Sequence, residues 1–160
     1  MRAYFFGNMY LSSIQQGIQA QHCTAELFLK YMTNEREENN PAQYLWEWAN
    51  HHKTSILLNG GYSENLRVLV DRFDDSQNPY PWATFNESQE ALDGALTCVG
   101  IILPEKIYAL ASAVRDKKNG ALLEEMIRDH GFWVFEGTSI DYTKWELELA
   151  LELNNYGLAS

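Results

Sequence analysis

Four short apolar runs constrain this chain more than any other feature: Ala3 to Phe6, Thr54 to Leu58, Trp82 to Phe85 and Ala95 to Leu103. Each is rich in β-branched, aromatic or other apolar residues and bounded by breakers, such as Gly7-Asn8, Gly60-Gly61 and Pro104, so each reads as a strand. Helical spacing fills much of the space between them. Ser12 and Ser13 offer helix N-caps, with Gln15 and Gln16 three residues on as in a capping box. Ile14, Ile18, Gln21, Ala25, Leu29 and Met32 then recur at helical intervals, predicting one core-facing stripe. Thr33 to Asn40 reads as a surface loop, and Pro41 suits the first turn of a short helix through Trp46 and Trp48. Ser63 caps a helix through Leu66, Val70 and Phe73. Asp74 to Pro81 is a turn-rich connection and Asn86 to Gly94 a polar loop. The resulting order, β-α-α-β-α-β-β, predicts an α/β fold: a small mixed sheet flanked by helices on both faces.

After Pro104 the pattern changes. Ile107 to Val114 is helical, Lys117 to Gly120 a turn, Leu122 to Asp129 helical and Phe132 to Phe135 a short strand. Thr143 and Glu146 form a second capping box that opens a last helix through Tyr156. The expected organisation is therefore an α/β domain over 1–104 and a mainly helical C-terminal extension over 105–160 packed on it. In the last helix Trp145, Leu149, Leu153 and Tyr156 make one apolar stripe, and Leu147 and Leu151 project from nearly the opposite side. A helix apolar on two faces must bury both, which predicts a homodimer or higher homo-oligomer through Leu147 and Leu151.

Charge narrows the partners. The 160 residues include 22 acids against 12 Lys and Arg, a net charge of −10. Neutralising phosphates needs clustered Lys and Arg, so a long nucleic acid is not expected, and anionic membranes are repelled. Cys23 and Cys98 lie in apolar segments without the spacing of a zinc site or a disulfide framework, and read as core thiols of a reducing compartment. No metal or cofactor is expected. The apolar run Met1 to Phe6 is too short for a signal peptide and no stretch is long enough to span a bilayer. The expectation is a cytoplasmic protein, in a bacterial host if phage-encoded.

Two segments carry a resemblance. Leu11-Ser12-Ser13-Ile14-Gln15-Gln16-Gly17-Ile18-Gln19-Ala20-Gln21-His22 keeps a Q-x-x-H spacing at Gln19 and His22. Trp46-Glu47-Trp48-Ala49-Asn50-His51-His52-Lys53 precedes the strand at Thr54, and its Trp-to-Lys spacing matches W-E-x-x-G-Q-x-K. Together with the capped helix at Ser63, the loop Asn86-Glu87-Ser88 and the strand entry Asp93-Gly94-Ala95-Leu96-Thr97, the region Met1 to Pro104 resembles the type II peptidyl-tRNA hydrolases. The resemblance implies that family's α/β scaffold, with His22, Thr97 and Glu87 as candidate catalytic residues. The family's helix-opening lysines fall on Ser13 and Gln15, so the donors that bind phosphate or stabilise an oxyanion are missing.

The residues themselves add candidates. Gln15, Gln19, His22 and Glu26 share one flank of the first helix, and a neutral His one turn from a carboxylate can act as a general base; the plainer reading is a polar boundary network. The loop Asn86, Glu87 and Ser88 is expected to face that flank. Tyr62 and the Pro79-Tyr80-Pro81-Trp82 segment can stack on a flat ligand or simply pack. His51 and His52 lead into a strand, where adjacent side chains diverge and do not chelate one metal. His130 reads as a helix C-terminus, and Gly60-Gly61 as an ordinary turn rather than an anion cradle. These readings converge on a small nucleotide-type ligand bound and sequestered on a degenerate hydrolase scaffold, with Gln15, Gln19, Glu26, Asn86, Ser88, Tyr62 and Trp82 as expected ligand contacts and catalysis left open. The alternatives are an active hydrolase of an ester or nucleotide-linked substrate using His22 as base, and a pure interaction protein.

Overall fold

A computed structural model describes residues 1–31, 40–115, 134–135, 138–139 and 142–159. The chain divides into two compact units, Met1–Leu103 with Gly157–Ser160, and Pro104–Tyr156. The boundary after Leu103 is the one the sequence marks at Pro104; the return of the last residues to the first unit is not.

In the first unit the apolar runs form one four-stranded mixed sheet: β1 (Arg2–Gly7), β2 (Ser55–Asn59), β3 (Trp82–Asn86) and β4 (Leu96–Leu103), in the order β2-β1-β4-β3. β1 runs parallel to β2 and antiparallel to β4, and β3 is antiparallel to β4. β4 is buried at every position, which is why it reads as a continuous apolar run rather than an alternating one. Alternation on β1 then sorts the helices. Phe5 joins Ala3, Cys98 and Ile102 in a cluster with Ala20, Cys23 and Leu27 of α1 (Ser13–Tyr31) and Leu45 of α2 (Pro41–Glu47). Phe6 points the other way and meets Phe73 of α3 (Ser63–Phe73), with ring centroids 5.9 Å apart. Helices therefore cover both faces, as expected.

The face that α1 buries is not the expected one. Ile14 and Leu29 are 78% and 71% exposed, and Ile18, Gln21 and Ala25 are exposed as well. The buried residues are Gln16, Gln19, Ala20, Cys23 and Leu27. The small side chains of Ala20 and Cys23 let the helix approach β4 closely. A Cβ on Gly100 would lie 2.9 Å from Cys23 Sγ and 2.9 Å from the Phe5 ring, so the glycine is what that approach requires. Gln16 is tolerated inside because its Nε2 donates to the Leu11 carbonyl at 2.9 Å. Cys23 and Cys98 are free, buried thiols; hydrogen bonding with Cys23, then burial, holds the Cys98 thiol well above its ordinary range.

Caps and turns follow the sequence closely in most places. Gln15 Oε1 accepts from the Ser12 backbone N–H at 3.0 Å, and Asn40 caps α2 through the Ala42 N–H at 3.0 Å. His51 and His52 do not lead straight into a strand: they sit in a π-helical turn, Trp48–His52, that prolongs α2, where His52 Nε2 lies 3.5 Å from Glu47 Oε1. At Gly60-Gly61 the chain turns sharply. Gly61 has φ +80, and the Gly60 N–H donates to the Gly7 carbonyl at 2.8 Å. The polar loop after β3 contains a short helix, α4 (Gln89–Leu92), capped by Ser88. Gly157–Ala159 lies along β2: the Asn59 N–H donates to the Gly157 carbonyl at 2.9 Å, and the Ala159 N–H to the Leu57 carbonyl at 3.0 Å.

The second unit contains α5 (Glu105–Val114), a hairpin of β5 (Val134–Phe135) with β6 (Thr138–Ser139), and α6 (Lys144–Leu153). The helix expected over Leu122 to Asp129, the turn at Lys117 to Gly120, the loop over 33–39, and Met32 and His130 lie outside the described residues. α6 opens on the expected capping box: Glu146 Oε2 accepts from the Thr143 N–H at 2.9 Å, and Thr143 Oγ1 from the Glu146 N–H at 3.2 Å. Leu147 is fully buried within the chain and Leu151 is half-buried. The second face expected to join protomers is thus covered at Leu147 within the chain, while Leu151 keeps part of its surface open.

At the end of α6, burial, with Glu152 adding to it, pushes the Tyr156 hydroxyl up from 10.0 to about 12. A raised folded-state value means that the unfolded chain gives up this proton first, so stability is full below pH 10 and falls as the pH rises towards 12. Unfolding midpoints measured across that window should fall, and less steeply in Tyr156→Phe; parallel curves for the two proteins would refute the assignment.

Candidate functional site

The site is built around an irregularity in the sheet. The register between β3 and β4 shifts at Phe85/Asn86: Phe85 pairs with Cys98 but Asn86 pairs with Leu96. Thr97 is the extra residue. By strict alternation it would share the side of Val99 and Ile101, yet its Oγ1 lies 3.2 Å from Gln19 Oε1 of α1 and 3.2 Å from the Phe85 carbonyl. A bulge re-aims a side chain in this way. Gln19 then completes a bridge, since its Nε2 donates to Glu87 Oε1 at 2.7 Å. One buried amide thus joins the first helix, the start of β4 and the loop after β3.

His22 stacks on Phe85, with ring centroids 4.7 Å apart and planes inclined by 25°. This sets the imidazole beside the residue that precedes the Asn86-Glu87-Ser88 loop, on an exposed flank with half-buried Glu26 one turn on. His22, Gln19, Glu87 and Thr97 therefore gather around the end of β3. Other expected residues are placed differently. Gln15 is held by the N-cap of α1. Asn86 Nδ2 donates to the Gly94 carbonyl at 3.0 Å, and Ser88 Oγ accepts from the Ala91 N–H at 3.1 Å, so both are engaged inside their loop. Trp82 packs against Phe73, and Lys30 Nζ sits 3.7 Å from its ring centre.

The neighbouring cleft has a volume of about 500 Å³, within the range of small-molecule sites. It lies past the C-terminal ends of the parallel pair β1 and β2, the place where ligands sit on open α/β sheets. Its walls are Asn8, Tyr10 and Leu11 after β1, Tyr62, Ser63 and Glu64 at the start of α3, Leu92 of α4, and Ala95 and Thr97 at the start of β4. Of the expected residues, Tyr62 and Thr97 line it. Tyr10 was missed, although an aromatic two residues past a strand-ending Gly-Asn is the kind of signal that finds such a residue. Tyr10 and Tyr62 are 78% and 57% exposed. A second cleft of about 400 Å³, between α1 and β2, is lined by Phe5, Gly17, Ala20, Gln21, Thr24, Ser55 and Leu57. Among the described residues no group of three or more His, Cys, Asp or Glu is placed to hold a metal ion, and no helix is long and apolar enough to cross a membrane.

No protein-family model matches the chain, and no curated protein matches it.

Proposed function

We propose that the chain binds a small nucleotide-type ligand in the cleft lined by Tyr10, Tyr62 and Thr97, on a scaffold resembling that of type II peptidyl-tRNA hydrolases. The observation that carries this reading is a pair of exposed tyrosines lining a 500 Å³ cleft at the C-terminal ends of parallel strands. A flat base stacked on such a ring gains about 1–3 kcal/mol. Supporting the scaffold resemblance, the described elements through Leu103 follow the order in which its motifs occur. Supporting a small ligand over a long nucleic acid are the net charge of −10 and the missing lysines at Ser13 and Gln15.

A second reading, hydrolysis with His22 as base, is favoured by one observation: Gln19 ties Glu87 to Thr97 beside the stacked His22 and Phe85 rings. One experiment serves both. The protein is incubated with a panel of nucleosides, nucleotides and their esters, and retained compounds are identified by mass spectrometry. The binding reading expects a compound retained unchanged, with affinity lowered about 10- to 100-fold by Tyr62→Ala, the equivalent of the stacking energy. Recovery of cleaved product from the wild type and intact ligand from His22→Ala establishes the hydrolase. Retention of nothing, or retention indifferent to Tyr10→Ala with Tyr62→Ala, sinks the cleft as the site.

A further inference from the structure

The hydrogen bonding of the cleft says what kind of ligand fits it. Asn8 is fully used: its Nδ2 donates to Ser63 Oγ at 3.0 Å and to the Leu96 carbonyl at 3.1 Å, while its Oδ1 accepts from the Tyr10 N–H at 3.1 Å. Ser63 Oγ lies 3.3 Å from the same Leu96 carbonyl. The Thr97 hydroxyl has one proton, and two acceptors at 3.2 Å share it. The hydrogen-bond donors of the polar floor are therefore spent on the protein itself, while the Ser63 and Thr97 hydroxyl oxygens keep acceptor capacity. Beyond those acceptors the described lining includes two tyrosines and the exposed Glu64, and no Lys or Arg.

The start of α3 is the one place on this wall where an anion would be welcome, because unpaired N–H groups and the helix dipole favour negative charge there. Glu64 stands in that first turn and already supplies the charge. A phosphate brought to the same spot would meet a carboxylate within a Debye length of about 8 Å, in a protein that is acidic overall.

We infer that the ligand of this cleft is an unphosphorylated, amino-bearing heteroaromatic ring, neutral or cationic: a nucleobase or nucleoside rather than a nucleotide. The inference rests on the cleft being the binding site, and it sharpens that reading by removing the phosphate. Ring faces stack on Tyr10 and Tyr62, an exocyclic amino group donates to Glu64, and a positive charge on the ring gains further from both.

The test is calorimetric titration of the four common nucleosides, their 5′-monophosphates, and a base quaternised by methylation, each against wild type and Glu64→Gln. At least one nucleoside should bind, with its monophosphate weaker by about tenfold or more, as expected for a dianion facing a carboxylate at close range. The quaternised base should bind at least as well as its parent. Glu64→Gln should narrow the gap between nucleoside and monophosphate and weaken the quaternised base, with the circular dichroism spectrum unchanged. A monophosphate that binds as tightly as its nucleoside overturns the inference while leaving the cleft as the site. A gap that survives Glu64→Gln unchanged also overturns it, since Glu64 would not be the discriminator. If no member of the panel binds, the inference falls together with the proposed function.

Discussion

In a Lys106→Met variant, urea unfolding should show a loss of about 3 kcal/mol, the lower part of the range for breaking a buried ion pair from one side. Glu146 is only 2% exposed, and Lys106 Nζ lies 2.6 Å from its Oε1. Removing the ammonium takes the charge partner at 2.6 Å away from a buried carboxylate. The Thr143 N–H on Oε2 offsets part of that cost, which is why the lower end of the range applies. Adding Glu146→Gln to Lys106→Met keeps an acceptor for the Thr143 cap while removing the charge, so it should recover most of the loss. A single variant that loses less than about 1 kcal/mol, the worth of an exposed pair, would show that the pair is not what stabilises α5 against α6.

Gly100→Val should be at least as damaging. Even one added carbon would stand 2.9 Å from Cys23 Sγ and from two carbons of the Phe5 ring, and valine brings two more into a cluster that is already closed. Overpacking of this kind costs about 1–3 kcal/mol, occasionally more, and the upper end is expected because β4 is central and buried throughout. Cys23→Ala removes one of the clashing atoms. The double variant should therefore be more stable than the sum of the two single losses. Strict additivity, or a Gly100→Val protein with a wild-type unfolding midpoint, would mean that α1 does not approach the sheet as closely as described.

Much of the sheet was legible because its strands announce themselves chemically. Ala3 to Phe6, Thr54 to Leu58, Trp82 to Phe85 and Ala95 to Leu103 all fall within one or two residues of the observed bounds, being short, apolar and fenced by Gly, Pro and Asn. Pro41 marked the first turn of α2, and capping chemistry was equally readable at Ser12 and Thr143. The face of α1 was not. Ranking faces by apolarity chose Ile14, Ile18 and Leu29, but the helix packs by its small residues, Ala20 and Cys23; Gln16 Nε2 reaches the Leu11 carbonyl nearby, and the Gln19 amide finds Glu87 and Thr97 across chain distances that no local pattern reports.

The candidate site was legible only in its parts. Gln19, His22, Glu87 and Thr97 each carried a signal, either from the resemblance or from polar residues on one helix flank. Their convergence depends on a bulge opposite Phe85, and alternation alone would have sent Thr97 to the other side of the sheet. Tyr10 escaped notice because it belongs to no helix or strand; it matters only where the ends of β1, α3 and β4 come together.

The pairing of Gly157–Ala159 with β2 has a consequence for how the chain is made. Synthesis delivers β1 to β4 early, so the four strands can find each other while translation continues. The outer rim of β2 must wait until residues after α6 have left the ribosome, more than fifty residues past Leu103. Throughout that interval the Asn59 N–H and Leu57 carbonyl are open to any passing strand. The nascent chain is thus most exposed to mispairing at β2, and the danger ends when Gly157–Ala159 arrive.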